Sequence, residues 1–180
     1  MSDLKIDFTW TLFLDRDGVI NQRNFDGYIS TIEDFKFLPN AIEGLKLLSK
    51  QFSRIIVVTN QQGVGKGIMS EETLNDIHQF MMDTLKEEDV DIDRVYFASN
   101  LRNAKKDRRK PNEAMALEAQ RDFPEIDFKR SIMVGDTSSD LKFGMNLGMK
   151  TVLVLSKEKV DLTPDLKVKH LKELANEIIK

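Results

Sequence analysis

The sequence predicts an α/β fold, a doubly wound parallel sheet of Rossmann type, on three observations. Short apolar runs alternate with segments of helical period. The runs end abruptly in charge, as buried parallel strands do. Polar residues suited to phosphate collect directly after them. In an open sheet of this kind, ligands bind in the crevice at the carboxyl ends of the strands. The residues just past each run therefore carry the functional information.

The first strand is expected over 10–14 (WTLFL). Residues 21–38 show no helix period and contain the turn dipeptide Asp26-Gly27, so they read as a loop or small hairpin. Ile42, Leu45, Leu48 and Phe52 fall about one turn apart and make one helix face, with Pro39 near its start. A second strand is expected over 54–59 (RIIVVT). Ser70 is a suitable N-cap for a helix with Leu74, Ile77, Met81 and Leu85 inward. Strands are expected next at 95–98 (VYFA), 131–135 (SIMVG) and 151–155 (TVLVL), and β-branched residues favour strand in several of them. Helices lie between and after them. One is capped by Asn112 and carries Met115, Ala119 and Phe123; the others span 141–147 and 171–179. Residues 160–168 read as a loop. Strand and helix repeated in this way imply right-handed crossovers within one sheet.

The 180 residues fit one domain, 1–180, at roughly 100–200 residues per domain. There is no cysteine, which rules out disulfides and thiolate chemistry. With 41% hydrophobic and 32% charged residues the chain is ordinary for a globular protein. Its longest apolar runs, such as 55–58 and 152–155, fall far short of the ~20 residues of a membrane span. The amino terminus carries no basic, then apolar, secretory pattern. A net charge of −3 argues against nucleic acid as the partner. The expected setting is cytoplasmic, with a small phosphorylated metabolite as partner and a monomer or weak homo-oligomer as the state.

Asp15 and Asp17 follow the first strand, and Asp136 follows the fourth, with Asp140 four residues on. A lone DxDG is usually a charged turn. A second acidic turn after another strand brings like charges to one edge, which is costly unless a cation neutralises them. Hard carboxylate oxygens and room for a phosphate suit Mg²⁺ as the cation that neutralises Asp15, Asp17 and Asp136.

Thr59 and Asn60 end the second strand and are followed by Gln61 and by glycines at 63, 65 and 67. Thr59 could simply end the strand, but beside a carboxylate cluster its hydroxyl and nearby backbone N–H groups can hold phosphoryl oxygens. No GxxxxGK[ST] is present, so the glycine stretch around Lys66 is no P-loop. A basic loop, 102–110, is mostly a solvated face. Lys110-Pro111 differs because it precedes a helix on the crevice side, where a lysine can bridge carboxylate and phosphoryl group. Met81, Met82, Met115 and Met145 read as core filling. His78 and His170 fall on helices away from strand ends and read as non-catalytic.

Together, Asp15-Arg16-Asp17-Gly18-Val19-Ile20, Thr59-Asn60-Gln61, Arg109-Lys110-Pro111 and Gly135-Asp136 through Asp140 resemble the four ordered motifs of the haloacid-dehalogenase-like (HAD) phosphatases, across about residues 10–155. Within subfamily III the chain resembles the branch of histidinol-phosphate and D-glycero-D-manno-heptose 1,7-bisphosphate phosphatases. Asp26-Gly27-Tyr28-Ile29, the close spacing to Phe37-Leu38-Pro39, and Lys66-Gly67 look more like the heptose enzyme. Many members carry a zinc loop, CxH…CxC, before RKP. Here Ala98, Asn100, Lys106 and Arg108 stand in its places, and none is a good zinc ligand.

The resemblance implies a Mg²⁺-dependent phosphomonoesterase with minimal or no cap domain, acting through an aspartyl-phosphate, with a heptose bisphosphate as substrate. Asp15 would be the nucleophile and Asp17 the general acid and base. Asp15, the Asp17 backbone carbonyl and Asp136 would hold the metal. Thr59 and Lys110 would complete the catalytic set, with Asn60, Gln61, Lys66 and Arg109 at the substrate. Histidinol phosphate or a polynucleotide 3′-phosphate are alternative substrates. A non-enzymatic rival is a phospho-receiver signalling domain, whose acceptor Asp follows the third strand, whereas Asp15 follows the first.

Overall fold

The computed structural model describes residues 6–102, 104–105 and 107–180. Its strands are β1 (Thr11–Leu14), β2 (Arg54–Asn60), β3 (Arg94–Ala98), β4 (Ser131–Gly135), β5 (Lys150–Val154) and β6 (Leu166–Val168). Its helices are α1 (Ala41–Leu48), α2 (Gln62–Gly65), α3 (Glu71–Glu87), α4 (Ala114–Asp122), α5 (Ser138–Asn146) and α6 (Leu171–Ile179). The six strands form one sheet in the order β3-β2-β1-β4-β5-β6, and every neighbouring pair is parallel. This is the doubly wound arrangement, and the strand order reverses direction at β1 and β4.

Alternation along the strands sorts the core into two layers. Leu12 and Leu14 of β1, with Ile55, Val57, Ile132 and Val134, pack on the side covered by α1, α3 and α6. Phe13, Ile56, Val58 and Met133 point to the other side, against Met115, Ala116 and Ala119 of α4 and Phe143 of α5. All of these strand residues are buried, which is why the runs read as continuous rather than alternating. Gly44 of α1 lets that helix lie against the start of α6, because a Cβ there would strike the backbone at Leu171 and Lys172. Ser70 caps α3 by accepting the Thr73 N–H at 3.0 Å.

The structure departs from the sequence reading in two places, at 160–168 and at the start of α4, and adds detail in two others. Residues 160–168 are not all loop: 166–168 form β6, parallel to β5. Three residues with one buried side chain are too short to show a period. The pairing is anchored by Asp165, which accepts the Thr151 N–H at 2.9 Å and the Lys150 ammonium at 3.0 Å. The glycine stretch is partly helical, as α2. Helix α4 begins at Ala114, two residues beyond the expected cap, although the Asn112 side-chain oxygen does accept the Ala114 N–H at 2.9 Å. The segment 21–38 pairs with itself only briefly. Gln22 N–H donates to the Lys36 carbonyl, and Leu38 N–H to that of Ile20, while Ile29 and Phe35 bury beneath.

Among the described residues no inserted cap domain interrupts the sheet. No helix among them is long and apolar enough to cross a membrane.

Candidate active site

The carboxyl ends of β1, β2 and β4 open into a cleft of about 1010 Å³. Asp15, Asp17, Thr59, Asn60, Gln61, Lys66, Arg109, Lys110 and Asp140 all line it. Register explains the grouping. Leu14 of β1 lies level with Val57 and Val134, so Asp15 emerges beside β4, its N–H donating to the Val134 carbonyl at 2.9 Å. Strand β2 runs three residues beyond Val57, which carries Thr59 and Asn60 to the rim of the same cleft. Asp136 follows β4 directly.

Asp15, Asp136 and Asp140 are buried, and each offers an oxygen within 4.8 Å of the others. The sequence reading gave Asp17 to the metal through its backbone carbonyl, alongside Asp15 and Asp136. The Asp17 side chain lies outside this group of three, and Asp140 lies within it. Asp140 is nevertheless heavily committed. One oxygen is 2.6 Å from the Lys110 ammonium, and the other accepts the Thr137 N–H and hydroxyl in the capping box that opens α5. Lys110 also donates to Asp15 at 2.8 Å. Arg23 donates to both Asp136 oxygens, at 3.2 and 3.4 Å.

The crowding is visible in the proton affinities. Burial pushes the Asp15 carboxyl up to about 7; Lys110 opposes this, and Asp140, Asp136 and Asp17 add to it. Burial and then Asp140 push Asp136 up to about 6, against Arg23 and Lys110. For Lys110 burial works against the charged form, but Asp140 and Asp15 outweigh it and hold the ammonium above its usual value.

Asp17 behaves differently. Burial would raise it, but the Arg16 guanidinium and hydrogen bonds from Asn21, Arg16 and Gln61 hold it below the usual carboxylate range. Arg16 grips both Asp17 oxygens, at 2.9 and 3.0 Å. Asn21 adds 2.9 Å and Gln61 2.8 Å.

Several expected site residues have their side chains engaged within the protein. The Gln61 amide is used by Asp17 and by the Thr59 hydroxyl, 2.9 Å away. Asn60 clamps the Lys110 backbone, accepting its N–H at 2.9 Å and donating to its carbonyl at 3.2 Å. Lys66 lies over the Tyr28 ring, 5.5 Å from its centre. Arg109 is half-buried, and its Nη1 is a buried donor with no partner among the described residues.

Of the four positions compared with a zinc loop, the three among the described residues make other contacts. Ala98 pairs with Asn60 at the end of β3, and Arg108 is ion-paired to Glu118. Asn100 donates to Asp107 at 3.0 Å, and the same oxygen accepts the Arg109 N–H at 2.9 Å. Lys106 lies outside the described residues.

Sequence reasoning passed over Arg16 and Asn21, and read His78 as non-catalytic. Strand alternation could have flagged Arg16: if Asp15 and Asp17 face the cleft, the residue between them must face inward. It is fully buried.

The donor set fits a hard divalent cation, since Asp15, Asp136 and Asp140 each offer a carboxylate oxygen within 4.8 Å of the others. The approach is close. Gly18 has φ 92°, and a Cβ there would collide with the Asp136 carboxylate.

A family described as HAD-hydrolase-like matches residues 107–174. The D-glycero-alpha-D-manno-heptose-1,7-bisphosphate 7-phosphatase of Campylobacter jejuni is 33% identical over 168 residues, 93% of this chain and 95% of that one. The D-glycero-beta-D-manno-heptose-1,7-bisphosphate 7-phosphatase of Haemophilus influenzae is 37% identical over 145 residues, 77% of each. Among solved structures, a D,D-heptose 1,7-bisphosphate phosphatase from B. bronchiseptica, complexed with magnesium and phosphate, matches with a TM-score of 0.84. At 23% identity, covering 94% of this chain and 98% of that one, this is a likeness of fold. A D,D-heptose 1,7-bisphosphate phosphatase from Burkholderia thailandensis matches at 0.69 with 26% identity, covering 95% and 99%.

Proposed function

The chain belongs to the HAD-like hydrolases, in the branch of the heptose-1,7-bisphosphate 7-phosphatases, and is a Mg²⁺-dependent phosphomonoesterase of a small phosphorylated sugar; from that premise we propose that its substrate is a D-glycero-D-manno-heptose 1,7-bisphosphate and that Asp15 is the nucleophile. The observation that carries this reading is the buried Asp15 at the end of β1, lying with Lys110 at the floor of the cleft.

In this reading an Asp15 oxygen attacks phosphorus in line with the leaving oxygen. An acyl-phosphate bond forms as the ester P–O bond breaks, which splits one hard step into two. Asp17 gives its proton to the departing alkoxide. It then takes a proton from the water that attacks the aspartyl-phosphate, which releases phosphate and restores Asp15. Asp17 rests ionised, so the acid role needs a proton taken up with substrate. The incoming phosphate dianion favours that uptake, because a like charge nearby raises a carboxyl's proton affinity. Asp15, the Asp17 backbone carbonyl and Asp136 would hold Mg²⁺, which would supply positive charge against the carboxylates and phosphoryl oxygens.

Lys110 adds a fixed point charge beside Asp15, and the Thr59 hydroxyl and Asn60 backbone N–H hold phosphoryl oxygens. Asn60 and Asp140 keep Lys110 in place from opposite ends. Arg109, whose Nη1 has no partner among the described residues, is suited to a further anionic oxygen of the substrate, and Lys66 and Gln61 border the same space.

The test is phosphate release with Mg²⁺ from heptose 1,7-bisphosphate, histidinol phosphate and a 3′-phosphorylated oligonucleotide, with Asp15→Asn as control. We expect preference for the heptose ester and loss of about 10³-fold or more in Asp15→Asn. Wild-type turnover in a folded Asp15→Asn protein would exclude Asp15 as nucleophile. Preference for another ester would move the substrate.

A further inference from the structure

Directly beneath Asp17 lies a layer that takes no part in the phosphoryl chemistry itself. Arg16 is fully buried, and its planar fork is engaged at two ends. One end grips the Asp17 carboxylate. At the other, Nη1 lies 3.1 Å from His78 Nε2. A guanidinium only donates, so His78 Nε2 must be the acceptor and the imidazole proton must sit on Nδ1. Burial and then the Arg16 charge push His78 down to about 3, so the ring is neutral and keeps that lone pair across the working pH range.

The two partners come from distant parts of the chain. His78 lies on α3, 62 residues from Arg16, with its ring 5.6 Å from that of Phe97 on β3. Phe35 packs between Arg16 and α3, its ring 5.9 Å from the guanidinium and 6.0 Å from the Phe80 ring. A guanidinium held at one end can pivot about the bond to its stem. Held at both ends and packed against a ring, its plane is set, and so is the orientation of the carboxylate it grips.

We propose that His78 is a positioning residue for the phosphatase reaction: by accepting from Arg16 it fixes the guanidinium, and through it the Asp17 carboxyl, in line with the leaving oxygen. This rests on the reading of Asp17 as acid and base. The function is one of placement, since His78 is screened from the cleft by Arg16 and exchanges no proton with substrate. Acid catalysis falls steeply when the donor is misaimed, because the proton must pass over a hydrogen-bond distance.

The experiment compares His78→Leu, which fills the space without an acceptor, with His78→Gln, whose amide oxygen can accept. The readout is kcat/KM for two substrates, which reports events up to departure of the leaving group. One is an alkyl phosphate ester, whose leaving oxygen needs a proton. The other is p-nitrophenyl phosphate, whose leaving group departs as the stable phenolate. We expect His78→Leu to lower kcat/KM for the alkyl ester about ten-fold and that for p-nitrophenyl phosphate by no more than about two-fold, with His78→Gln recovering most of the loss. Equal losses on both substrates, or no difference between Leu and Gln, would mean that His78 only supports the fold and would overturn the proposal. If His78→Leu does not fold, His78→Asn, with an amide too short to span the gap, takes its place. Asp17→Asn runs alongside. If it keeps full turnover on the alkyl ester, the acid assignment itself fails. If it is inactive while His78→Leu equals wild type, only the positioning role fails.

Discussion

The ammonium of Lys110 lies 2.8 Å from the Asp15 carboxylate, across 95 residues of sequence, and both are buried. The same ammonium reaches Asp140 at 2.6 Å. One buried cation thus serves two of the three carboxylates gathered within 4.8 Å, and Arg23 serves the third from the rim. The site is short of positive charge, and that shortage governs how it should respond to metal, pH and substitution.

Magnesium should stabilise the protein more at pH 8 than at pH 5. Asp15 and Asp136 are pushed to about 7 and about 6 in the fold, against an ordinary 3.8. Between pH 4 and 7 the folded state therefore holds more protons than the unfolded one, and stability of the metal-free protein falls as pH rises through that window. Above it both groups are ionised, the repulsion is fully present, and a divalent cation has most to offset. Below it protons compete with the metal. Thermal unfolding with and without Mg²⁺ at the two pH values measures this, and an equal increment at both would contradict it.

Lys110→Met should unfold at markedly lower denaturant. It removes the buried partner of two carboxylates and leaves Asp15 and Asp140 uncompensated, a loss of about 3 kcal/mol or more when a buried pair is broken one-sidedly. The deficit should shrink at pH 5, where Asp15 is free to take a proton. Urea titrations at pH 5 and 8 test both parts. A deficit that is larger at pH 5 would refute the charge explanation.

Gly18→Ala should weaken Mg²⁺ binding about ten-fold and lower stability by roughly 1–2 kcal/mol. The backbone at φ 92° disfavours any side chain, and the added methyl would displace the Asp136 carboxylate. Calorimetric titration with Mg²⁺ reads the affinity directly, and wild-type binding would show that Asp136 has room to move.

Asp107→Ala should raise KM several-fold while leaving kcat within about two-fold, the pattern of lost binding without lost chemistry. Asp107 ties Asn100 to the Arg109 backbone and so shapes the segment that leads to Arg109 and Lys110. Steady-state kinetics on the preferred ester decide it; a fall in kcat at unchanged KM would place this loop's role in the chemical step instead.

Much of the architecture was legible because it is local. The runs at 54–59 and 131–135 are strands since both faces of a central parallel sheet are buried, and that writes a continuous apolar run into the chain. Ser70 caps α3 through contacts spanning three residues, so the signal lies within one window. Strand β6 was missed because three residues carry no period, and its place depends on the Asp165 anchor to Thr151.

The sequence by itself determined which residues reach the carboxyl edge of the sheet. A strand that ends in Asp, or in Thr-Asn, must deliver those side chains to the mouth, and alternation decides which of them face it. Tertiary structure alone decided what each one meets there. That Asp140 joins the carboxylate group as well as capping α5, and that His78 lies against Arg16, depend on how far α5 and α3 slide along the sheet, and that Gln61 turns to Asp17 depends on how the ends of β1 and β2 meet. Such placement is set by the packing of two core layers over the whole domain, and no short stretch of sequence carries it.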